Sequence, residues 1–214
     1  MVLALSGVAV RIGATRVLEG LDLQLRPGES LGVRGANGSG KSTLLRVCAT
    51  LLRPRAGTVQ ILGVDRAEAG APEHRRRICL VGHEPALYAQ LTVRENLRFV
   101  ARLYDRDSAA VEEALDVVGL ARAAGRRLDR CSQGMARRAD LARVLLARPT
   151  LLLLDEAHAG LDPAADVLIG HLVARTCRAG GAAVVVAHEE RLAGQADRTA
   201  TLTSGRLVPD EVAP

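Results

Sequence analysis

The segment 35–42 constrains the fold of this chain more than any other feature. It reads Gly-Ala-Asn-Gly-Ser-Gly-Lys-Ser and fits the pattern G-x-x-x-x-G-K-[ST]. An apolar run at 30–33 precedes it, and apolar residues at helical spacing follow it at 42–52. Glycines let successive backbone N–H groups turn inward around phosphate groups, and the N-terminus of the following helix adds positive charge. The segment therefore predicts a strand, a phosphate-binding loop and a helix that together hold a nucleoside triphosphate.

Lys41 is the only lysine among the 29 basic residues of the chain. A genome bias toward arginine explains the excess of arginine but predicts arginine at position 41 as well. Because the planar guanidinium of arginine does not replace a compact ammonium at a tight site, we predict that Lys41 contacts the terminal phosphates and is catalytic. The Ser42 hydroxyl is predicted to hold Mg²⁺. The residues predicted here to bind ATP are Gly35, Ala36, Asn37, Gly38, Ser39, Gly40, Lys41, Ser42 and Thr43.

The composition favours a globular domain and disfavours nucleic acid as a partner. A length of 214 residues suits one domain, and 48% hydrophobic with 25% charged residues is a globular composition. The chain has only three aromatic residues, so several bases cannot stack on aromatic rings. The net charge of +5 fits a solvated surface as well as it fits an anionic partner or membrane surface.

The cysteines and the longest apolar runs indicate in which cellular compartment the chain works. The four cysteines are Cys48, Cys79, Cys131 and Cys177. None lies at metal-ligand spacing from another, and each stands in an apolar context, so we predict reduced core thiols and the cytosol. The runs 151–154 and 182–187 are far shorter than the roughly 20 residues that a membrane span needs, so no span is predicted. We interpret the apolar start, 2–12, as a strand because no basic residue precedes it.

Apolar runs and helical spacings alternate in the order typical of a parallel α/β sheet. Strands are predicted at 2–12, 21–25, 30–33, 59–62, 77–81, 151–154 and 183–186. Helices are predicted at 42–52, 93–103, 109–118, 133–147 and about 163–177, with an exposed connector at 122–130. Ser132 is the expected N-cap of the helix at 133–147, and Pro149 is expected to stop it. The runs at 151–154 and 183–186 do not alternate, as expected of strands buried on both faces.

Two acidic residues, Asp155 and Glu156, directly follow the apolar run 151–154. Open α/β sheets bind ligands at the carboxyl ends of their strands. We therefore expect Asp155 to support Mg²⁺, and Glu156 to act as a catalytic residue that polarises the attacking water. The sequence thus predicts hydrolysis of a β–γ phosphate bond.

The segment 131–135 resembles the signature motif of ATP-binding cassette (ABC) ATPases. The usual form is L-S-G-G-Q, which Ser132 and Gly134 match, while Cys131, Gln133 and Met135 depart from it. The resemblance implies that the signature residues Ser132, Gln133, Gly134 and Met135 contact the γ-phosphate held by the phosphate-binding loop of a second subunit. A serine hydroxyl and free N–H groups at a helix N-terminus suit such an anion.

Three further segments resemble motifs of the same family in the same order. Residues 159–162 resemble the D-loop and end in Asp162, and His188 follows a strand where the family carries a switch histidine. The resemblance implies that His188 is catalytic and contacts the γ-phosphate. Residues 81–85 occupy the place of the Q-loop, whose glutamine ordinarily touches Mg²⁺ and water and senses the transmembrane partner. His83 stands in the glutamine position, so it is included among the ATP-binding residues.

Four further positions depart from the family pattern. Ile12 stands where an aromatic residue usually stacks on adenine, and Ala-His at 157–158 replaces the common Pro-Thr. Asp140 lies in the signature helix where a small apolar residue is usual, and we expect it to pair with Arg137 or Arg143. These departures favour slow or partner-dependent hydrolysis.

The resemblance implies an α/β fold of the P-loop NTPase class. It predicts a RecA-like core with an antiparallel β subdomain and a helical signature subdomain at about 86–147, all within one ABC ATP-binding domain spanning 1–214. It also implies ATP and Mg²⁺ as ligands, a homodimer or a paired ABC subunit, and an integral membrane permease as partner. The chain is then expected at the cytoplasmic side of the cell membrane, attached through the membrane subunit.

Within the family, Gly-His at 82–83, the phrase ALYAQLTVRENL at 86–97 and the S-x-G-M signature resemble the ATPase subunit of haem exporters in cytochrome c biogenesis. ATPases of drug, polysaccharide or other exporters are an equal alternative. From another class, a soluble ABC ATPase acting on DNA or ribosomes usually carries a long coiled coil or two cassettes, and this sequence has neither. A regulatory ABC ATPase with little turnover is a further alternative, which Ile12 and His83 favour.

Overall fold

The computed structural model of the chain describes residues 1–69, 71–158, 163–187 and 196–210. These residues form two compact units. The described residues within 1–80, 149–156 and 173–214 form the first unit, and those within 81–148 and 157–172 form the second unit.

The described residues contain both helices and strands. In chain order they are β1 (Leu3–Ile12), β2 (Thr15–Leu25), β3 (Ser30–Arg34), α1 (Lys41–Cys48), β4 (Ala56–Ile61), β5 (Val64–Asp65), α2 (Arg66–Ala69), α3 (Pro72–Arg75), β6 (Ile78–Val81), α4 (Val93–Leu103), α5 (Ser108–Val117), α6 (Gln133–Ala147), β7 (Leu151–Asp155), α7 (Pro163–Arg178), β8 (Ala182–Val186), β9 (Arg198–Thr203) and β10 (Arg206–Pro209). Two short 3₁₀ turns lie between α5 and α6, at Ala121–Ala123 and Leu128–Arg130.

An antiparallel sheet with the strand order β2-β1-β4-β5 forms one layer of the first unit. The prediction placed the second strand only at 21–25, whereas β2 begins at Thr15. The hairpin explains the difference, because Gly13 adopts φ 58° in the turn and Ile12 pairs with Thr15 immediately beyond it. The polar half of β2 therefore pairs with β1 although it carries no apolar run.

A six-stranded sheet with the order β10-β9-β3-β8-β7-β6 forms the second layer of the first unit. Strand β3 pairs in parallel with both β8 and β9, and β7 pairs in parallel with β8. Every residue of β8 is buried, as are the first four residues of β7, which confirms the prediction of strands covered on both faces. Val33 and Asp155 both pair with Val186, so the carboxyl ends of β3, β7 and β8 meet at one edge.

The core of the first unit is aliphatic and includes Leu31, Leu44 and Leu153, all fully buried. The four cysteines are free. Cys48 and Cys79 are buried, but Cys131 and Cys177 are only partly buried. The prediction that all four are core thiols is therefore wrong for two of them: Cys131 lies just outside α6 and Cys177 at the last turn of α7.

Helices α4, α5 and α6 pack against one another in the second unit. Their starts follow from capping side chains: Thr92 and Glu95 form a capping box at α4, and Asp107 caps α5. The helices predicted at 93–103 and 133–147 are confirmed residue for residue. The connector at 122–130 is less exposed than predicted, because Ala124 and Leu128 are buried. Among the described residues, no helix combines the length and apolar character that a membrane crossing requires.

Candidate functional site

The loop between β3 and α1 requires glycine at two positions. Gly35 has φ 147°, and a Cβ there would lie 2.4 Å from the carbonyl oxygen of Leu202. Gly40 has φ 106°, and a Cβ there would lie 3.0 Å from Cγ1 of Val17. These two positions start and end the bend that brings the chain from the strand into the helix, so the glycines serve the conformation of the loop.

Lys41 opens α1 and is only 6% exposed. Its Nζ donates hydrogen bonds to the carbonyl oxygens of Gly35 at 2.8 Å and Ala36 at 3.0 Å. The ammonium thus lies over the phosphate-binding loop, where the motif predicts the phosphates of the nucleotide. The Oγ of Ser39 is buried in the same loop and has no hydrogen-bond partner among the described residues. An orphaned hydroxyl in the loop that a buried ammonium contacts suits the oxygens of a phosphate group.

Asp155 and Glu156 lie at the same sheet edge. Helix α1, which carries Ser42, packs against β7, which ends at Asp155. Glu156 has φ 49°, and its N–H donates to the carbonyl oxygen of Val186 at 3.0 Å. A left-handed conformation at a residue other than glycine costs roughly 1 kcal/mol or more, and such residues cluster at functional sites. The strand end therefore aims the Glu156 side chain at the expense of backbone strain.

The donor set at this edge suits a hard divalent cation that also binds phosphate. The exposed Ser42 hydroxyl and the partly exposed Asp155 carboxylate are oxygen donors of the kind that Mg²⁺ prefers. No group of three or more His, Cys, Asp or Glu side chains that could hold a metal occurs in the described ranges. Mg²⁺ commonly takes one or two protein ligands together with substrate phosphates, so this pair is sufficient for it.

A cavity of about 640 Å³ adjoins the phosphate-binding loop. Its lining comprises Arg34, Gly35, Ala36, Asn37, Ala187, Thr201 and Thr203. Ala187 follows the last residue of β8 and precedes His188, the predicted switch histidine. His188 itself lies outside the described residues, as do residues 159–162, including Asp162 of the predicted D-loop. Ile12, in the place of the adenine-stacking aromatic, is 53% exposed at the end of β1.

The predicted signature residues lie at the N-terminus of α6 in the second unit. Ser132 is the N-cap, and its Oγ accepts a hydrogen bond from the N–H of Met135 at 3.3 Å. Ser132 and Gln133 are exposed, whereas Gly134 and Met135 are partly buried. Helix α6 has 15 residues, and its N-terminus carries partial positive charge, so this exposed end suits an anion.

The segment 82–86, which carries His83, is held by side chains of α6. Arg137 is 6% exposed, and its guanidinium donates to the carbonyl oxygens of Gly82 and, at 2.8 Å, of His83. Asp140 is fully buried and accepts from the Nε of Arg143 at 2.8 Å. Of the two partners expected for Asp140, the structure therefore selects Arg143. Nothing in the local sequence around Arg137 indicates its role, because the carbonyls that it binds lie 54 and 55 residues away.

The structure brings the predicted residues together in two groups. The phosphate-binding loop, Lys41, Ser42, Asp155 and Glu156 share the first unit, and His83 and the signature residues share the second unit.

Comparison with known proteins identifies close relatives. Residues 18–159 match the family model described as ABC transporter. The cytochrome c biogenesis ATP-binding export protein CcmA of Bordetella bronchiseptica is 44% identical over 188 residues, which cover 87% of this chain and 82% of that protein. The hemin import ATP-binding protein HmuV of Streptomyces coelicolor is 39% identical over 220 residues, which cover 98% of this chain and 79% of that protein.

A solved structure supports the same relationship. It is a dimeric ATP-binding cassette in a post-hydrolysis state bound to ADP and Pi, and it superposes with a TM-score of 0.87 at 25% identity. The superposition covers 99% of this chain and 99% of that chain. The P-loop NTPase α/β fold predicted from the sequence is thereby confirmed.

Proposed function

Since this chain belongs to the ABC transporter family, we propose that it powers export of haem, or of a haem-like cargo, for cytochrome c maturation. The chain is an ATP-binding ATPase of a membrane ABC transporter. The observation that carries the finer proposal is the 44% identity to the cytochrome c biogenesis export protein over 87% of the chain. The hemin importer at 39% identity supports the cargo chemistry but not the direction of transport.

We propose that residues 35–43 cradle the phosphates of ATP and that Lys41 neutralises the charge that develops on the γ-phosphate. Its buried Nζ, already directed at the loop by Gly35 and Ala36, needs little reorganisation to meet that charge. Ser42 and Asp155 would hold Mg²⁺, which would neutralise phosphate charge when it is bound. Glu156, held at the strand end by Val186, would orient and polarise the attacking water.

The signature residues require a second subunit, and three other predicted residues complete the ATP site. We propose that Ser132, Gln133, Gly134 and Met135 bind the γ-phosphate held by a second subunit, and that Asp162, His83 and His188 complete the site. A homodimer or a paired ABC subunit would then bind two ATP molecules and act on a membrane permease from the cytoplasmic side. The whole chain, 1–214, would form one ATP-binding domain with its helical subdomain at about 86–147.

The exposed Ser132 end of α6 supports the dimer, since an exposed helix N-terminus can bind an anion that a second subunit presents. The test is Glu156→Gln, which removes the general base but keeps the size of the side chain. We expect this variant to bind ATP, to lose hydrolysis by at least about 100-fold, and to accumulate as a dimer measured by light scattering. Glu73→Gln, at an exposed residue of α3, is the control and should behave as wild type. A Glu156→Gln protein that stays monomeric in saturating ATP and hydrolyses normally would refute the mechanism.

The cargo is tested with the membrane partner. We expect the chain, purified from the membranes of the cells that produce it, to carry a bound permease. That permease should belong to the cytochrome c maturation system. In vesicles that contain this complex, haem should raise ATP turnover several-fold, and a drug or a lipid-linked polysaccharide should not. Stimulation by one of those instead, with no response to haem, would replace haem export by the alternative exporter. Turnover that stays negligible in the complex would favour a regulatory ATPase.

A further inference from the structure

Two buried charged residues of α6 hold a segment of chain that lies far away in sequence. Arg137 and Asp140 are three residues apart, so they share one face of the second helical turn. Arg137 binds the carbonyl oxygens of Gly82 and His83, and Oδ1 of Asp140 accepts from the N–H of Ala86 at 3.4 Å. The segment 82–86 is therefore fastened at both of its ends to the same turn of the helix.

The contacts hold the backbone and leave the side chains of the segment free. His83 and Glu84 are exposed, although the carbonyl of His83 is bound by a guanidinium that is 6% exposed. Hydrogen bonds of buried charged groups are stronger than those between neutral groups, so they fix the backbone against local opening. The arrangement thus presents His83 outward in a defined position.

The stretch that follows is anchored separately. Asn96 in α4 is 1% exposed, and its side chain accepts from the N–H of Tyr88 at 2.7 Å and donates to the carbonyl oxygen of Tyr88 at 2.9 Å. Residues 82–86 are thus held by α6, and Tyr88 is held by α4. This separation allows the two anchors to be tested independently.

Asp140 combines two buried contacts with one unsatisfied oxygen. Its side chain is completely buried, its Oδ1 accepts from Arg143 and from Ala86, and its Oδ2 accepts no hydrogen bond from any described residue. Removing Asp140 alone also removes one partner of a buried ion pair, so we expect it to cost stability. A variant of Arg143 therefore serves as the control for the ion pair, because it leaves the contact with Ala86 in place.

We propose that Arg137 and Asp140 are positioning residues, which make the His83 segment (82–86) and the Ser132 end of α6 respond to nucleotide as one rigid piece. Ser132 begins the helix that carries both residues, one turn before Arg137. A displacement of either end is then transmitted through the helix to the other. The inference rests on the proposed roles of Ser132 and His83 in the ATPase cycle.

The first test needs no nucleotide and measures amide hydrogen exchange in the full chain. Asp140→Ala should accelerate exchange of the Ala86 amide about fivefold, as expected for the loss of one hydrogen bond, and Arg137→Met should accelerate exchange across 82–86. Asp140→Asn keeps the acceptor oxygen and should restore the slow rate. Asn96→Ala is the matched control and should accelerate exchange at Tyr88 but not at 82–86. Unchanged exchange across 82–86 in both α6 variants would overturn the proposal.

The second test adds Mg²⁺ and a non-hydrolysable ATP analogue. In the wild type, exchange at 82–86 and at 132–136 should change with the same dependence on analogue concentration. In Asp140→Ala, the response at 82–86 should fall at least threefold while that at 132–136 persists, and Asp140→Asn should respond as the wild type does. Equal responses of both segments in Asp140→Ala, or no response of either segment in the wild type, would overturn the proposal.

Activity and stability measurements separate positioning from folding. Asp140→Ala should lower kcat about threefold to tenfold with KM for ATP within twofold, and Asp140→Asn should restore kcat. Arg143→Met breaks the same ion pair but keeps the contact between Asp140 and Ala86, so it should lower Tm at least as much while kcat stays within twofold of wild type. Equal losses of kcat in Asp140→Ala and Arg143→Met would assign Asp140 to the fold and overturn the proposal. Turnover by the wild type tests the proposed function on its own: a wild type without ATPase activity refutes that function, whereas an active wild type without the coupled response refutes only this inference.

Discussion

Nη2 of Arg34 lies 2.6 Å from Oδ2 of Asp210, and Arg34 is the residue directly before the phosphate-binding loop. Burial of the Asp210 carboxyl group opposes its ionisation, but hydrogen bonds from Thr201, Thr199 and Arg34 outweigh this effect and hold its pKa below the usual range. The ion pair thus ties the described end of the chain to the last residue of β3.

We expect Asp210→Asn to lower the free energy of unfolding by about 1 kcal/mol at pH 7, because the pair is partly buried and hydrogen-bonded. A carboxyl group whose pKa is lowered on folding contributes stability above its unfolded pKa and loses it as the pH falls through the folded pKa. The difference between variant and wild type should therefore begin to shrink as the pH falls below 3.8, and it should disappear once the pH lies below the lowered pKa of the folded state. Glu19→Gln, which breaks the exposed pair with Arg16, should have almost no effect in the same denaturation series.

Lys41→Ala and Lys41→Arg should both abolish ATP hydrolysis while the protein stays folded. Alanine removes the ammonium, and the broad guanidinium does not fit a site in which Nζ approaches two carbonyl oxygens within 3.0 Å. The loss expected for a group that stabilises transition-state charge is about 100-fold or more in kcat. Arg46→Ala, at an exposed position of the same helix, is the control for charge and helix propensity. Wild-type turnover in either Lys41 variant would contradict the assignment.

Gly35→Ala should destabilise the phosphate-binding loop. The new methyl group would meet the carbonyl oxygen of Leu202 at 2.4 Å, and φ 147° is strained for any residue with a Cβ. We expect a loss of about 2 to 3 kcal/mol in the free energy of unfolding and weaker binding of a fluorescent ATP analogue. Gly170→Ala provides the contrast, since no atom lies within 4 Å of its added Cβ and it sits inside α7. That variant should gain about 0.5 to 1 kcal/mol; equal losses at both positions would show that the contact with Leu202 is unimportant.

Because of the buried Cys48 thiol, we expect the free energy of unfolding to decline in alkaline solution. Burial raises its pKa to about 12, against 9.0 for a free thiol. Because the folded pKa is raised, the unfolded state loses its proton first, and stability falls as the pH rises from 9 toward 12. This group should contribute up to about 1.4 kcal/mol per pH unit in that window. Urea denaturation at several pH values should give a shallower alkaline decline for Cys48→Ala than for the wild type, and parallel curves would refute the assignment.

Local signals in the sequence predicted the elements that are fixed by local interactions. The Thr92 and Glu95 capping box and the Ser132 cap define the starts of α4 and α6, and both helices were predicted at their observed bounds. Glycine and lysine spacing likewise predicted the strand, loop and helix around Lys41. The sequence therefore predicts those elements whose conformation is set by residues close to them in the chain.

Interactions with distant parts of the chain were not accessible in the same way. The sequence offered Arg137 only as a partner of Asp140, because its actual partners are backbone carbonyls, which carry no side-chain signature. The left-handed backbone of Glu156 depends on its bond to Val186, thirty residues away. The early start of β2 depends on pairing with β1 and not on its own apolar pattern. Each of these features needs the tertiary structure.

The buried position of Lys41 has a practical consequence for chemical labelling. With no other lysine in the sequence, an amine-acylating reagent has only the chain's α-amino group and this one Nζ to react with. Lys41 is only 6% exposed and its Nζ donates to two carbonyl oxygens, so this amine reacts only when the loop opens. The extent of its acylation, read by mass spectrometry, therefore reports loop opening directly and without an introduced probe. Acetylation of any lysine of this chain in a cell would modify the same nitrogen and remove its positive charge.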